Sequence, residues 1–434
     1  MMPTPCEERV AVHRRTHRSD VLTLLYGVGL ALTSATQLRL PSLPIGPGEV
    51  LLVVWLMCAV FAGLVRGTLN VNAVSRAFLL FWMTALSLLS LGTLVAIVID
   101  RFQPASLYDF VAFLLSALTS VMFVLQPELR RRSIAVIDTL LVGIGGSQFL
   151  LAALLLVGVR YVGPIDSFYE GARFQGWSNN PNQLAFVLLA LPLFALYRLG
   201  RQRRTGRRIW FAFLAACPIL PGALCFSNAL FFAWTAGLSI LAGVAWVRSA
   251  RNTDAGYLRR ASRLILVPLV ALSVAGLLGP TAVELASTGL SRGYNYGDHG
   301  ADRVNRWKFG LQAALNSPLV GLGPGSFSGP YQPFGGGEAH NTLIDWGSST
   351  GLLGDLALLG LLAFAAWTSL RGGSAVGVGI VTAMLIFSSF HYILRQPVFW
   401  FDVLAIAALG LVDPQVAAPS SAKQASPSSM SSRK

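Results

Sequence analysis

The feature that most constrains this chain is the recurrence of apolar stretches close to the length of a bilayer-spanning helix. Hydrocarbon offers no partner to a backbone N–H or C=O, so each stretch must satisfy its own groups as a helix. Twelve are legible, at 21–38, 46–65, 77–99, 107–126, 133–159, 182–199, 209–225, 229–247, 264–281, 342–370, 374–393 and 397–413. Only 12% of the 434 residues are charged against 54% apolar, which excludes an ordinary soluble domain. The expected fold is all-α, a polytopic helical bundle of about twelve transmembrane helices.

Charge orients the bundle. With residues 1–20 as a cytoplasmic tail, 24 of the 33 lysines and arginines fall on inside segments and nine outside, at 39, 101, 160, 173, 292, 303, 306, 308 and 395. This is the bias of the positive-inside rule, and it favours an even number of spans. The net charge of +14 therefore reflects topology and membrane lipid, and no nucleic-acid partner is expected. The basic runs at 198–208 and 248–263 read as orientation signals facing anionic headgroups. Arg14-Arg15 precedes the first span without a cleavage-type sequence after it, so that span is expected to stay as an anchor. Cys6, Cys58, Cys217 and Cys225 have neither metal-ligand nor disulfide-framework spacing. Neither a metal nor a cofactor is expected.

The chain is organised around 338–354, EAHNTLIDWGSSTGLLG. His340 and Asn341 stand where a long polar loop meets an apolar run. On a helix beginning at Asn341, positions 340, 344, 347, 351 and 354 share one face. Gly347, Gly351 and Gly354 leave that face bare, so a second helix or a lipid tail is expected to approach there. His340 reads either as a loop residue above a packing stripe or as a chemical group.

Three outer segments accompany it. After the fifth span comes RYVGPIDSFYEGARFQGWSNNPNQ, with Arg173, Gly176 and then Asn180-Pro181-Asn182. Asn180 as N-cap and Pro181 at the first helical position predict a helix start, whose free N–H groups attract anions. The stretch 282–338 carries Asp298, His299, Asp302, Arg303 and Arg306. A surface helix is expected from about 302 to 316, its apolar face made by Trp307, Leu311, Ala314 and Leu315. PLVGLGPGSF follows and reads as a tight turn; it has neither dinucleotide-fingerprint nor P-loop spacing. The eleventh span ends on His391 and Arg395, an anchoring pair or a second anion contact. Glu49, Asp100, Asp109 and Asp138 near span ends read as structural. Asp355 and Asp402 lie at membrane depth, and Asp355 is expected to bond a neighbouring helix.

The outer face thus gathers Arg173, Arg303, Arg306, His340 and a helix N-terminus. Arginine holds phosphate oxygens through a fixed fork and stabilises a leaving diphosphate; a neutral histidine takes a proton from an attacking hydroxyl. Such groups at a lipid boundary suit glycosyl transfer from a polyprenyl diphosphate donor.

The His340-Asn341 stretch with Gly351 and Gly354 resembles the histidine signature of the O-antigen ligase and O-antigen polymerase superfamily. The Arg173…Gly176…Asn180-Pro181-Asn182 loop resembles that family's loop before the sixth helix. Arg303…Trp307 followed by Pro318-Leu319-Val320-Gly321-Leu322-Gly323 resembles the segment before the histidine. The resemblance covers roughly 140–370. It implies a twelve-helix GT-C-like fold in the inner membrane with a large periplasmic loop between spans nine and ten. On the apolar pattern, spans one to nine then occupy 21–281, the loop 282–341 and spans ten to twelve 342–413, and the Pro-, Ser- and Ala-rich composition of 414–434 reads as a disordered cytoplasmic tail. The resemblance also implies metal-independent transfer of glycan from undecaprenyl diphosphate. Arg173 and Arg303 would contact the diphosphate, and His340 would be base or acceptor guide. Asn180, Asn182, Arg306, Asn341 and Arg395 would line the substrate. Many members carry Ser-Arg where this chain has Ser227-Asn228, so that contact is missing or comes from Arg306 or Arg395.

Three functions remain open on the residues. A polymerase of cell-surface polysaccharide joins lipid-linked glycans and works beside export and chain-length partners. A ligase passes glycan to a lipid A core or to protein. A transporter or flippase moves the same lipid, though no internal repeat of the transporter kind is visible.

Overall fold

The computed structural model describes residues 21–40, 45–67, 69–102, 105–169, 173–250, 299–325 and 338–411. The chain is mostly helical. Among the described residues seven helices are long and apolar enough to cross a membrane: Pro47–Val65, Ala73–Val98, Ser106–Val124, Leu129–Leu156, Pro181–Gly200, Thr205–Leu224 and Thr342–Arg371. Four shorter apolar helices, Val21–Thr33, Asn228–Val244, Val376–Ser388 and Pro397–Leu409, fall on further expected stretches. The ninth expected stretch, 264–281, lies outside the described residues, as do both tails and most of 282–338. Met57, Leu64, Leu80 and Val98 are two-thirds or more exposed. Apolar side chains in such numbers on an outer surface mark it as the face of a membrane protein.

Pro397–Leu409 is the most enclosed helix, with every residue from Val398 to Leu409 buried. Asp402 apart, it is apolar all round because it meets protein on every side. Trp400 packs on Phe81 and Trp82, with ring centroids 5.2 and 4.4 Å away. Phe401 joins Tyr26 and Phe123 in a second aromatic group. These contacts draw helices from the start, middle and end of the sequence into one core.

Contacts between connecting segments sort into two ends. At one end Gln37 Nε2 donates to the carbonyls of Asp166, Gly176 and Ser178. At that end, too, Arg395 reaches Asp109 and Glu338. At the other end the Asn70 amide donates to Leu125, Arg132 reaches Thr23, and Arg198 grips Asp138 through two 2.7 Å bonds. Successive helices run from one end to the other, as alternating spans require.

Three departures from the sequence reading matter. The segment after Leu156 holds two antiparallel strand pairs, Tyr161–Val162 with Ile165–Asp166 and Phe168–Tyr169 with Arg173–Phe174. Its aromatic and β-branched residues suit strands, and Gly163, at φ +59°, turns the first pair. Second, the surface helix, described from His299 to Ala314, ends two residues before the expected position. Its exposed apolar residues are Val304 and Leu311, and Leu315 just after it is exposed as well. Trp307 is instead half-buried.

Third, the helix from Thr342 to Arg371 is broken at Gly351, which lies at φ +69°, ψ −176°. The bare glycine face expected for a visiting helix is therefore not formed. What approaches is this chain's own backbone. The Leu322 and Gly323 amides donate to the carbonyls of Ser348 and Ser349 at 2.8 and 3.0 Å. Pro318 and Leu319 carbonyls accept from Leu352 and Leu353 at 2.8 and 3.4 Å. The break interrupts the helix ladder, and the segment 318–323 supplies replacements for both sides of it. Far from a simple turn, this segment is a plug. A side chain at Gly351 would meet the Leu319 carbonyl at 2.2 Å, and one at Gly321 would meet Ser349 at 2.3 Å.

Candidate functional site

The strap Glu338–Asn341 lies immediately before the broken helix, and three elements hold it. Asn341 is the N-cap, its Oδ1 accepting from the Leu343 and Ile344 amides at 3.1 and 3.3 Å. Asn341 Nδ2 donates to the Ser389 carbonyl at 3.3 Å, which ties the cap to the turn after the Val376–Ser388 helix. Thr342 Oγ1 donates to the His391 carbonyl at 2.7 Å. From the surface helix, Arg306 donates to the Glu338 carbonyl at 3.4 Å.

His340 sits within this strap at φ +57°, in the left-handed region. That conformation costs a residue with a Cβ about 1–2 kcal/mol. The cost is offset locally. Asp345, only 5% exposed, turns its carboxylate back on the strap. Its Oδ1 accepts from the Ala339 amide at 2.9 Å and its Oδ2 from the Asn341 amide at 3.2 Å. A buried intramolecular hydrogen bond contributes about 0.5–1.5 kcal/mol, so the two together offset the strain.

The His340 side chain is 43% exposed, with Nδ1 3.8 Å from Glu338 Oε2, an ion-pair separation longer than a hydrogen bond. The His391 ring lies 6.4 Å away between centroids. Glu338 is also paired with Arg395, whose other terminal nitrogen meets Asp109 at 2.6 Å. Arg395 lies over the Tyr392 ring at 5.0 Å. Burial pushes the Glu338 carboxyl up, but His340 and Arg395 together hold it below the usual range. Burial likewise works against the Arg395 charge, yet Glu338 and Asp109 more than offset it and raise its proton affinity. Arg395 was a candidate phosphate contact in the sequence. In the fold both ends of its fork meet carboxylates.

A second group forms around Arg173, on the last of the four short strands. Its Nε donates to the Cys225 carbonyl at 2.8 Å and an Nη to Asn182 Oδ1 at 2.9 Å. The helix start is as expected: Asn180 Oδ1 accepts from the Asn182 amide at 2.8 Å, with Pro181 in the first turn. Asn182 thus joins the arginine to the helix mouth. Cys225 lies in the short break before Asn228. Arg173 bridges that break to the sixth expected span. By its backbone Arg303 lies in the surface helix, one turn before Arg306, and its side chain falls outside the described residues.

Several functional neighbours were not legible as such. Asp109 read as a span-end residue, but 286 residues of chain separate it from the arginine it pairs with. Asp345 gave one signal, an acid in the first turn of a helix. Asp355, expected to bond a neighbouring helix, has a buried Oδ1 without a partner among the described residues. Among those residues no three His, Cys, Asp or Glu side chains gather as a metal-ligating group.

The arrangement places a half-exposed imidazole on a braced strap, flanked by guanidinium and carboxylate groups, at one end of a helical bundle. It can accept a proton from a bound hydroxyl and can tolerate anionic charge beside it. Searches against family models, curated proteins and solved structures found nothing similar to this chain.

Proposed function

We propose that this chain is a membrane glycosyltransferase that moves a glycan from undecaprenyl diphosphate to an acceptor hydroxyl, polymerising a cell-surface polysaccharide. In this reading the bundle has twelve spans of GT-C-like arrangement in the inner membrane, and the end carrying His340 faces the periplasm. The observation that carries it is His340 itself. A strained histidine, braced by buried hydrogen bonds yet left half-exposed, is what a positioned base looks like.

The chemistry follows from the residues. His340 takes the proton of the acceptor hydroxyl as its oxygen attacks the anomeric carbon. The bond from that carbon to the diphosphate oxygen breaks, and the diphosphate leaves with the electron pair. Arg173 and Arg303, with Arg306 nearby, stabilise the charge on the leaving group. Arg395, held by two carboxylates, supports the strap.

The test is transfer by the purified protein in detergent from a lipid-linked donor. His340→Ala and His340→Gln should lower the rate by about 10²-fold or more, the scale of positioned proton transfer, with donor binding retained. Partial rescue by Gln would indicate orientation of the acceptor; no rescue would indicate proton abstraction. A wild-type rate in both variants would remove His340 from the mechanism. A wild-type protein that forms no glycosidic bond with donor and acceptor present would point to transport of the lipid instead.

A further inference from the structure

We propose that Asp345 is the positioning residue of His340: its carboxylate clamps the backbone amides on both sides of the histidine and sets the left-handed turn that presents the imidazole. Ala339 and Asn341 flank His340 in sequence, and each donates its amide to a different oxygen of the same carboxylate, at 2.9 and 3.2 Å. Between them His340 holds φ +57°. The clamp is buried, since Ala339 is fully enclosed and Asp345 nearly so. Asp345 itself is fixed from the helix side. Its amide donates to the Asn341 carbonyl at 2.9 Å, and Ser348 Oγ and Ser349 Oγ both donate to its carbonyl at 2.9 Å.

The same two serines receive the plug on their carbonyls, from Leu322 and Gly323. The broken helix, the plug and the histidine strap are thus joined through one turn, Asp345 to Ser349. Asp345 touches no open surface from which a substrate would be reached. Its role is exerted through the backbone of His340.

Two variants and two readouts decide the matter. Asp345→Asn keeps the shape but replaces one acceptor oxygen with a donor, so one clamp bond is lost; Asp345→Ala loses both. The readout independent of activity is the rate at which diethyl pyrocarbonate modifies His340 in the full-length protein, followed by peptide mass spectrometry against His13 as internal reference. That rate should change in Asp345→Asn and more so in Asp345→Ala. The activity arm rests on the glycosyl-transfer reading: kcat should fall about 10- to 100-fold, the cost of small misplacement of a reacting group, with KM for the donor little changed. If Asp345→Ala does not fold, the near-isosteric Asn variant carries the test. An unchanged His340 modification rate in folded Asp345→Asn overturns the proposal, whatever happens to activity. A changed modification rate alongside wild-type transfer by His340→Ala would leave the clamp standing and remove the transfer reading.

Discussion

At the scale of single residues, the two polar groups at this end of the molecule differ in how the chain holds them. His340 is held by its own backbone, and its half-exposed ring lies beside Glu338. Arg173 is held by its guanidinium, which spans from the Cys225 carbonyl to Asn182 through two nitrogens at fixed angles. A lysine keeps the charge but offers one ammonium where two directed donors are needed. Arg173→Lys should therefore lower transfer by about 10-fold or more, the loss of one to two charge-assisted hydrogen bonds. Arg204→Lys, at an exposed position in the basic connection, should be nearly silent in the same assay. Equal tolerance at the two positions would make Arg173 an ordinary surface cation.

At the scale of elements, the feature that organises the site is the break at Gly351. Its conformation, φ +69° and ψ −176°, is closed to residues with a Cβ, and the Leu319 carbonyl occupies the space a Cβ would need. Gly351→Ala should lower stability by about 1–3 kcal/mol for the backbone alone, with the steric clash in addition. Gly360, on the same helix with nothing within 4 Å of the Cβ position, is the control. Gly360→Ala should leave stability unchanged or raise it by up to about 1 kcal/mol, because Ala is the better helix former. Thermal unfolding of both variants in detergent, followed by circular dichroism, makes the comparison. Similar behaviour of the two would mean that the plug does not depend on the break.

At the scale of the whole molecule, the two-ended sorting of contacts and the charge bias lead to one arrangement by separate routes. From the charges 198–208 is expected inside, and the contacts put Arg198 and Asp138 at the end opposite His340. In a variant lacking the native cysteines, a cysteine at Tyr161, which is 61% exposed on the outer hairpin, should react with an impermeant thiol reagent in intact cells. A cysteine at Arg204 should react only after permeabilisation. Reversed labelling would overturn the orientation and with it the periplasmic placement of the site.

By itself the sequence determined the elements that depend on local chemistry. Apolar length set the helices and Asn180-Pro181 set a capped start, because each is settled within a few turns of chain. His340 and Arg173 could be singled out for a related reason: polar groups on an apolar chain are few. Tertiary structure decided what those groups meet. The pairing of Asp109 with Arg395 closes a contact across most of the sequence, which no local pattern encodes. The Gly351 break was hidden for the same reason. Glycine in an apolar helix is permissive of several conformations, and only the arrival of 318–323 with matching donors and acceptors selects the broken one.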